Sequence, residues 1–336
     1  MTIAALLTVG LACGCADDAQ APPTVAASNA LVADWVRAVA GEEIEVVVLG
    51  KSEGDAHHWE STPSDASRVR AAAVTFAVGL GLDPGAVALA RSAGGSRVVV
   101  ELGAGLERAE RAQAGAPAPA DGHKHDHGHD HGAHPTDAHT QSASHNHSCG
   151  LDDPHFWHDP KRVAQAVDRI DAALAKAWPQ RRDEFARRAT AYKGELAALD
   201  EWIGKKIAAL PQERRTIVAT HDGLGYFGDR YGLRILGIEM SGDVASADPS
   251  PMRVAGLVKE VRESGATVLF AEPGHASALE RAVAHEAAIP LVDCLRLDGL
   301  PAKAGEKSQA DAKPAGAAYL AMMRSNVECI VEGLAK

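Results

Sequence analysis

At 336 residues and 46% hydrophobic side chains, the chain has room for two domains that each bury a core, and its composition excludes a disordered polymer. A formal charge of −11 argues against nucleic acid and anionic membrane as partners and is compatible with a cation. No internal apolar run is long enough to cross a bilayer.

Met1 to Gly14 is small and apolar and carries no Lys or Arg; it ends in Leu11-Ala12-Cys13-Gly14-Cys15. It reads as a secretory leader with a lipid-accepting cysteine, Cys15 or else Cys13, so that 1–23 is a leader and tether and any membrane contact runs through that anchor. Alternating elements begin at Thr24. Val25–Ala27 is a short strand, Ala30–Ala40 a helix with Leu31, Trp35, Val36 and Val39 on one face, and Ile44–Leu49 a β-branched run typical of a buried strand. A loop from Gly54 carries His57 and enters a helix near Ser64, and Ala72–Val78 and Val98–Leu102 are further strands. Such βαβα order predicts a parallel sheet with helices on both faces.

From 107 to 150 periodicity stops. His123, His125, His127, His129, His131, His134, His139, His145 and His147 are interleaved with Asp126, Asp130 and Asp137, a composition suited to weak metal capture or else a solvated linker. Asp159-Pro160 then reads as an N-cap followed by proline at the first helical position. The helix it opens carries Val163, Val167, Ile170 and Leu174 on one face. A second helix, about Gln180 to Leu210, has an apolar stripe from Phe185 to Ile207; at 1.5 Å per residue it is on the order of 45 Å long, suited to joining two lobes. A dimeric coiled coil is the competing use of that stripe.

Beyond Pro211 the alternation resumes, with strands at Thr216–Thr220, Arg234–Ile238, Val268–Ala271 and Pro290–Asp293, a helix stopped by Gly232, another over Met252–Ser264 ended by Gly265, a polar loop over Lys303–Pro314 and a C-terminal helix. The domain plan is therefore an N-terminal lobe 24–178 containing the His-rich loop 107–150, a linking helix 179–210 and a C-terminal lobe 211–336. Cys294 and Cys329 are a candidate disulfide for an oxidising compartment, or else small buried hydrophobes; Cys149 has no evident partner.

Four candidate ligands fall at corresponding places: His57 and His155 in the first lobe, His221 and Asp298 in the second. Open α/β sheets gather ligands at the carboxyl ends of their strands. Three imidazoles and one carboxylate suit Zn²⁺, unlike the oxygen-rich sets that hold Ca²⁺ or Mg²⁺. With four protein ligands no position is left for a reactive water, so no enzymatic activity is expected. A zinc hydrolase is the alternative, but the sequence has no His-Glu-X-X-His helix. A surface zinc buffer or adhesin is a third possibility.

Spacing alone does not define this set. Asp55-Ala56-His57-His58-Trp59-Glu60-Ser61-Thr62-Pro63-Ser64-Asp65, Asp153-Pro154-His155-Phe156-Trp157-His158-Asp159-Pro160, Thr220-His221-Asp222 with Gly225-Tyr226-Phe227, and Phe270-Ala271-Glu272-Pro273 resemble successive landmarks of one family. It is the zinc/manganese class of ABC-transporter solute-binding proteins, ZnuA-like or AztC-like. That resemblance implies two (β/α) lobes joined by one long rigid helix, a metal in the interlobe cleft and delivery to an ABC permease. It implies His57, His155 and His221 as ligands, with Asp298 the best match for an acidic fourth and Glu272 or Asp293 its rivals. Histidine at 221 favours zinc, with Mn²⁺ a weaker alternative. A periplasmic or lipid-anchored monomer is expected, with a periplasmic metallochaperone as a further partner. His158 is expected either to orient a ligand imidazole through Asp159 or to lie on the surface, and His275 and His285 on helix surfaces.

Overall fold

The computed structural model describes residues 22–49, 61–94, 98–106, 153–219, 223–238, 250–274, 276–300 and 314–335. The leader, the His-rich segment, the 301–313 loop, Cys149, His57, His221 and His275 lie outside the described residues. The first sheet contains β1 (Thr24–Ala27), β2 (Glu45–Val48), β3 (Val74–Ala77) and β4 (Val98–Glu101) in the order β2-β1-β3-β4. The second contains β5 (Thr216–Ala219), β6 (Arg234–Gly237), β7 (Leu269–Ala271) and β8 (Leu291–Asp293) in the order β6-β5-β7-β8. All six pairings are parallel, and the strand order is the same in both lobes. Strands covered on both faces need no polar alternation, and β3 and β7 are buried along their whole length, as their apolar runs require.

The helices are α1 (Ala30–Ala40), α2 (Pro63–Ala71), α3 (Pro84–Ser92), α4 (Pro160–Ala177), α5 (Arg182–Ala208), α6 (Gly225–Tyr231), α7 (Pro251–Ser264), α8 (Ala278–Ala287) and α9 (Ala317–Ala335). Their starts are chemically marked. Asn29 caps α1, reciprocal Thr62–Asp65 and Ser277–Glu280 capping boxes open α2 and α8, and Asp159 caps α4 with Pro160 at its first position, as expected. Gly232 and Gly265 end α6 and α7 in the left-handed conformation, also as expected. α3 and α8 are elements beyond those expected from the sequence; both are short, at 9 and 10 residues. None of the described helices is long and apolar enough to cross a membrane.

At 27 residues, α5 is about 40 Å long. Its buried stripe of Phe185, Ala189, Tyr192, Leu196, Leu199, Ile203 and Ile207 packs on α1, α4 and α9 within the chain, so the seam that a dimeric coiled coil would need is already occupied. One apolar cluster runs from the first sheet through these four helices to the second. The lobes thus share a helical layer and are joined by more than the connector.

A buried acid reinforces that junction. Asp34 on α1 is fully buried, and its carboxylate accepts from the backbone N–H of Gly316 (3.2 Å) and Tyr319 (2.9 Å) at the start of α9. A first-lobe side chain therefore satisfies the amino end of the last helix, where negative charge is favoured. Gly316 is required there: its φ is 85°, and a Cβ would lie 2.5 Å from the Tyr192 ring, whose hydroxyl donates to the Gly316 carbonyl. Burial nevertheless pushes the Asp34 carboxyl up, from 3.8 to about 6, despite these donors.

Because the folded value exceeds the unfolded one, folding disfavours ionisation of Asp34. Its contribution is most favourable below pH 3.8 and is lost as pH rises through about 6. The gap corresponds to about 3 kcal/mol. Relative to Asp34→Asn, the wild-type protein is expected to lose about 3 kcal/mol of unfolding free energy from roughly pH 3 to 8, read from urea transitions. Superimposable pH profiles for the two proteins would contradict this.

Candidate metal site

His155 lies between Pro154 and a single 3₁₀ turn, Phe156–His158, that runs directly into α4. The turn is anchored on both sides. Phe156 packs against Trp35 of α1, with ring centroids 5.8 Å apart, and the Tyr319 hydroxyl of α9 donates to the Trp157 carbonyl at 2.6 Å. Toward the second lobe, Trp157 Nε1 donates to the Leu297 carbonyl at 3.0 Å, and His158 Nε2 meets the same oxygen at 3.1 Å. Only a protonated Nε2 can donate there. Burial, and then the charge of His155, push the His158 ring down to about 4, so it makes this bond as a neutral imidazole.

Asp298 comes from the loop after β8. Cys294, one residue past that strand, is disulfide-bonded to Cys329 of α9. The buried Asn326 of α9 grips Arg296 from both sides, accepting from its N–H at 2.9 Å and donating to its carbonyl at 2.7 Å. Glu272, one residue past β7, accepts from the N–H of Leu297 (2.9 Å) and of Asp298 (3.2 Å) through a single oxygen.

Between these supports the two described candidates meet. His155 Nε2 is 3.4 Å from Asp298 Oδ1, and His155 Nδ1 is 2.7 Å from Asp153 Oδ1, an oxygen that also accepts from the His155 backbone N–H. Burial disfavours the charged ring, but the hydrogen bonds and charges of Asp153 and Asp298 outweigh it and push the imidazole up to about 9. Burial likewise opposes ionisation of Asp153, yet the imidazolium holds its carboxyl below the usual range. The imidazolium is therefore clasped by two carboxylates, Asp153 at Nδ1 from its own segment and Asp298 facing Nε2 from the other lobe.

The structure brings His155 and Asp298 together from opposite lobes; His57 and His221 lie outside the described residues, and among the described residues no group of three potential ligands assembles. The expected role of His158 needs correction. It is buried, but it binds the Leu297 carbonyl and does not orient a ligand through Asp159, which instead caps α4 and pairs with Arg162. The orienting carboxylate is Asp153. An acid two residues before a histidine was the available signal, since its side chain can fold back on the backbone N–H that follows. Of the two rivals, Glu272 faces the backbone of the Asp298 loop and Asp293 is exposed at the end of β8. His285 is exposed on α8, as expected.

A polar staple between segments distant in sequence leaves no local sequence signal. Tyr226 of α6 donates to the Asp153 carbonyl at 3.1 Å while the Arg162 guanidinium lies over its ring, 4.6 Å from the centroid. Arg230 and Tyr231, on the same helix, both bind Asp200 of the connector. The helix that follows the His221 segment is thereby fixed to the segment carrying His155.

Two parallel-sheet lobes with polar side chains converging between them define a two-lobed solute-binding protein. The chain belongs to the ZnuA family, described as the periplasmic component A of a zinc-uptake complex, whose family model matches residues 25–333. It is 37% identical over 120 residues to the manganese-binding lipoprotein MntA of Bacillus subtilis (36% of this chain, 39% of that protein). It is 28% identical over 188 residues to the zinc-binding protein TroA of Treponema pallidum (55% and 58%). These matches span about two-fifths and three-fifths of the relatives' lengths. The fold is that of a cadmium-bound periplasmic metal-binding protein from Candidatus Liberibacter asiaticus, with a TM-score of 0.70 at 17% identity, covering 93% of this chain and 99% of that one.

Proposed function

We propose that this protein captures Zn²⁺ between its lobes outside the cytoplasm and delivers it to an ABC permease. The observation that carries the reading is the meeting of His155 and Asp298 from opposite lobes, the imidazole oriented by Asp153 and the Asp298 backbone held by Glu272. His57 and His221 complete the set in this reading, giving three imidazoles and a carboxylate. That donor set suits a tetrahedral zinc ion and leaves no place for an activated water, which sets it apart from a hydrolase. Mn²⁺ is the weaker cargo in this reading, and relatives are named for manganese as well as for zinc. The leader exports the chain and anchors it through Cys15 or Cys13, and the segment from Gly122 to His147 acts as an auxiliary, weaker scavenger. The protein works as a monomer, and a periplasmic metallochaperone is a second partner.

Elemental analysis and calorimetric titration of the full chain test this. One tightly held zinc is expected, with weaker ions that disappear when 122–147 is deleted. Persistence of the weaker ions after that deletion would remove the scavenging role. A tight zinc that survives replacement of both His155 and Asp298 would place the site elsewhere.

A further inference from the structure

We infer that Glu272 is a positioning residue for this site: it sets the Asp298 carboxylate, and with it the contact between the lobes, without itself binding the ion. The inference rests on the metal-binding reading above and deepens it. The geometry turns on one short stretch of backbone. On its donor side, the N–H groups of Leu297 and Asp298 converge on Glu272 Oε1. On its acceptor side, the Leu297 carbonyl receives Trp157 Nε1 and His158 Nε2 from the other lobe. The next side chain, Asp298, lies 3.4 Å from His155.

Three consequences follow from that arrangement. A carboxylate binding two successive N–H groups makes charge-assisted bonds, which are stronger than neutral ones and fix the orientation of the peptide between them. Turning that peptide away would move the Leu297 carbonyl from Trp157 and His158 and swing Asp298 from His155 together, because all three contacts share one rigid segment. Glu272 is itself held firmly, since it stands at the carboxyl end of β7, a strand buried between β5 and β8.

A ligand carboxylate and a positioning carboxylate respond differently to neutralisation. Glutamine keeps an oxygen able to accept both N–H groups but is a poor zinc ligand, whereas alanine removes the acceptor. Zinc affinity of the full chain is measured by chelator competition for wild type, Glu272→Gln, Glu272→Ala and Asp298→Ala, with metal-free thermal unfolding alongside. Glu272→Ala is expected to weaken zinc binding by about 10–100-fold, the usual cost of losing an outer-shell partner, and Glu272→Gln to stay within about tenfold of wild type. Affinity lost to the same extent in the Gln and Ala variants would overturn the inference by making Glu272 a direct ligand. Wild-type affinity in Glu272→Ala, alongside weakened binding in Asp298→Ala, would also overturn it while leaving the site intact. Undiminished zinc binding in Asp298→Ala would instead strike at the metal-site reading. If the alanine variant does not fold, Glu272→Asp replaces it: one methylene shorter, it keeps the charge but falls short of the two N–H groups, and it is expected to weaken binding while Gln does not.

Discussion

Replacing His155 with alanine is expected to lower zinc affinity by more than about 100-fold, beyond the 10–100-fold range typical of outer-shell partners. Three features make this the most costly single change at the site. The imidazole is nearly buried, its Nδ1 is held by Asp153, and its Nε2 is directed at Asp298 from the other lobe. Its removal therefore deletes a donor and also leaves the Asp153 carboxylate, kept ionised by the imidazolium, buried beside an apolar methyl. Zinc titration with competing chelators, repeated from pH 6 to 10, reads both effects. Sequence considerations alone place the loss of binding near ~6.5, where an unperturbed imidazole titrates. The structure moves that boundary upward, because His155 keeps its proton until about pH 9 in the metal-free protein. Each ion bound at neutral pH must displace this proton, so apparent affinity should rise about tenfold per pH unit and level off above about 9. The stability of the metal-free protein has the opposite slope. A histidine pKa raised by folding stabilises fully below 6.5, and that contribution is lost as pH climbs through about 9. Affinity independent of pH between about 7 and 9 would show that His155 carries no proton to displace.

Much of the scaffold was legible because it depends on local chemistry. Asp159-Pro160, Gly232 and Gly265 mark helix ends through capping and backbone conformation, and the apolar runs at β3, β5 and β7 match strands buried on both faces. The connector could be read from its stripe, although periodicity could not say whether a second chain or this one covers it. The same limit applied at the site. His155 and Asp298 are candidates through motif resemblance, but what positions their segments depends on contacts between residues distant in sequence, such as Trp157 with Leu297. Glu272 illustrates the difficulty: as an acid after a strand it had the appearance of a ligand, and only the two backbone donors beside it reveal its other use. The Asp34 cap on α9 is likewise invisible in sequence, since 282 residues separate it from Gly316.

Replacing both Cys294 and Cys329 with alanine is expected to cost about 3–4 kcal/mol of unfolding free energy while changing zinc affinity by less than about tenfold. The first figure follows from the size of the closed loop, given a sequence separation of 35: the crosslink limits the unfolded chain, and its loss restores that freedom. The second requires weighing the disulfide against the other supports of the Asp298 segment. Cys294 lies four residues before Asp298, whereas Asn326 holds Arg296 by two hydrogen bonds and Glu272 holds Leu297 and Asp298 directly. Those bonds are nearer to the carboxylate and do not pass through sulfur. In the folded protein they should keep the loop in place after the crosslink is gone, so the effect falls on the unfolded ensemble and largely spares the site. Denaturant unfolding and zinc competition on the double variant, and on wild type with and without reductant, separate the two quantities. A loss of affinity as large as that of Asp298→Ala would mean that the disulfide, and not the Glu272 and Asn326 contacts, holds the carboxylate toward His155.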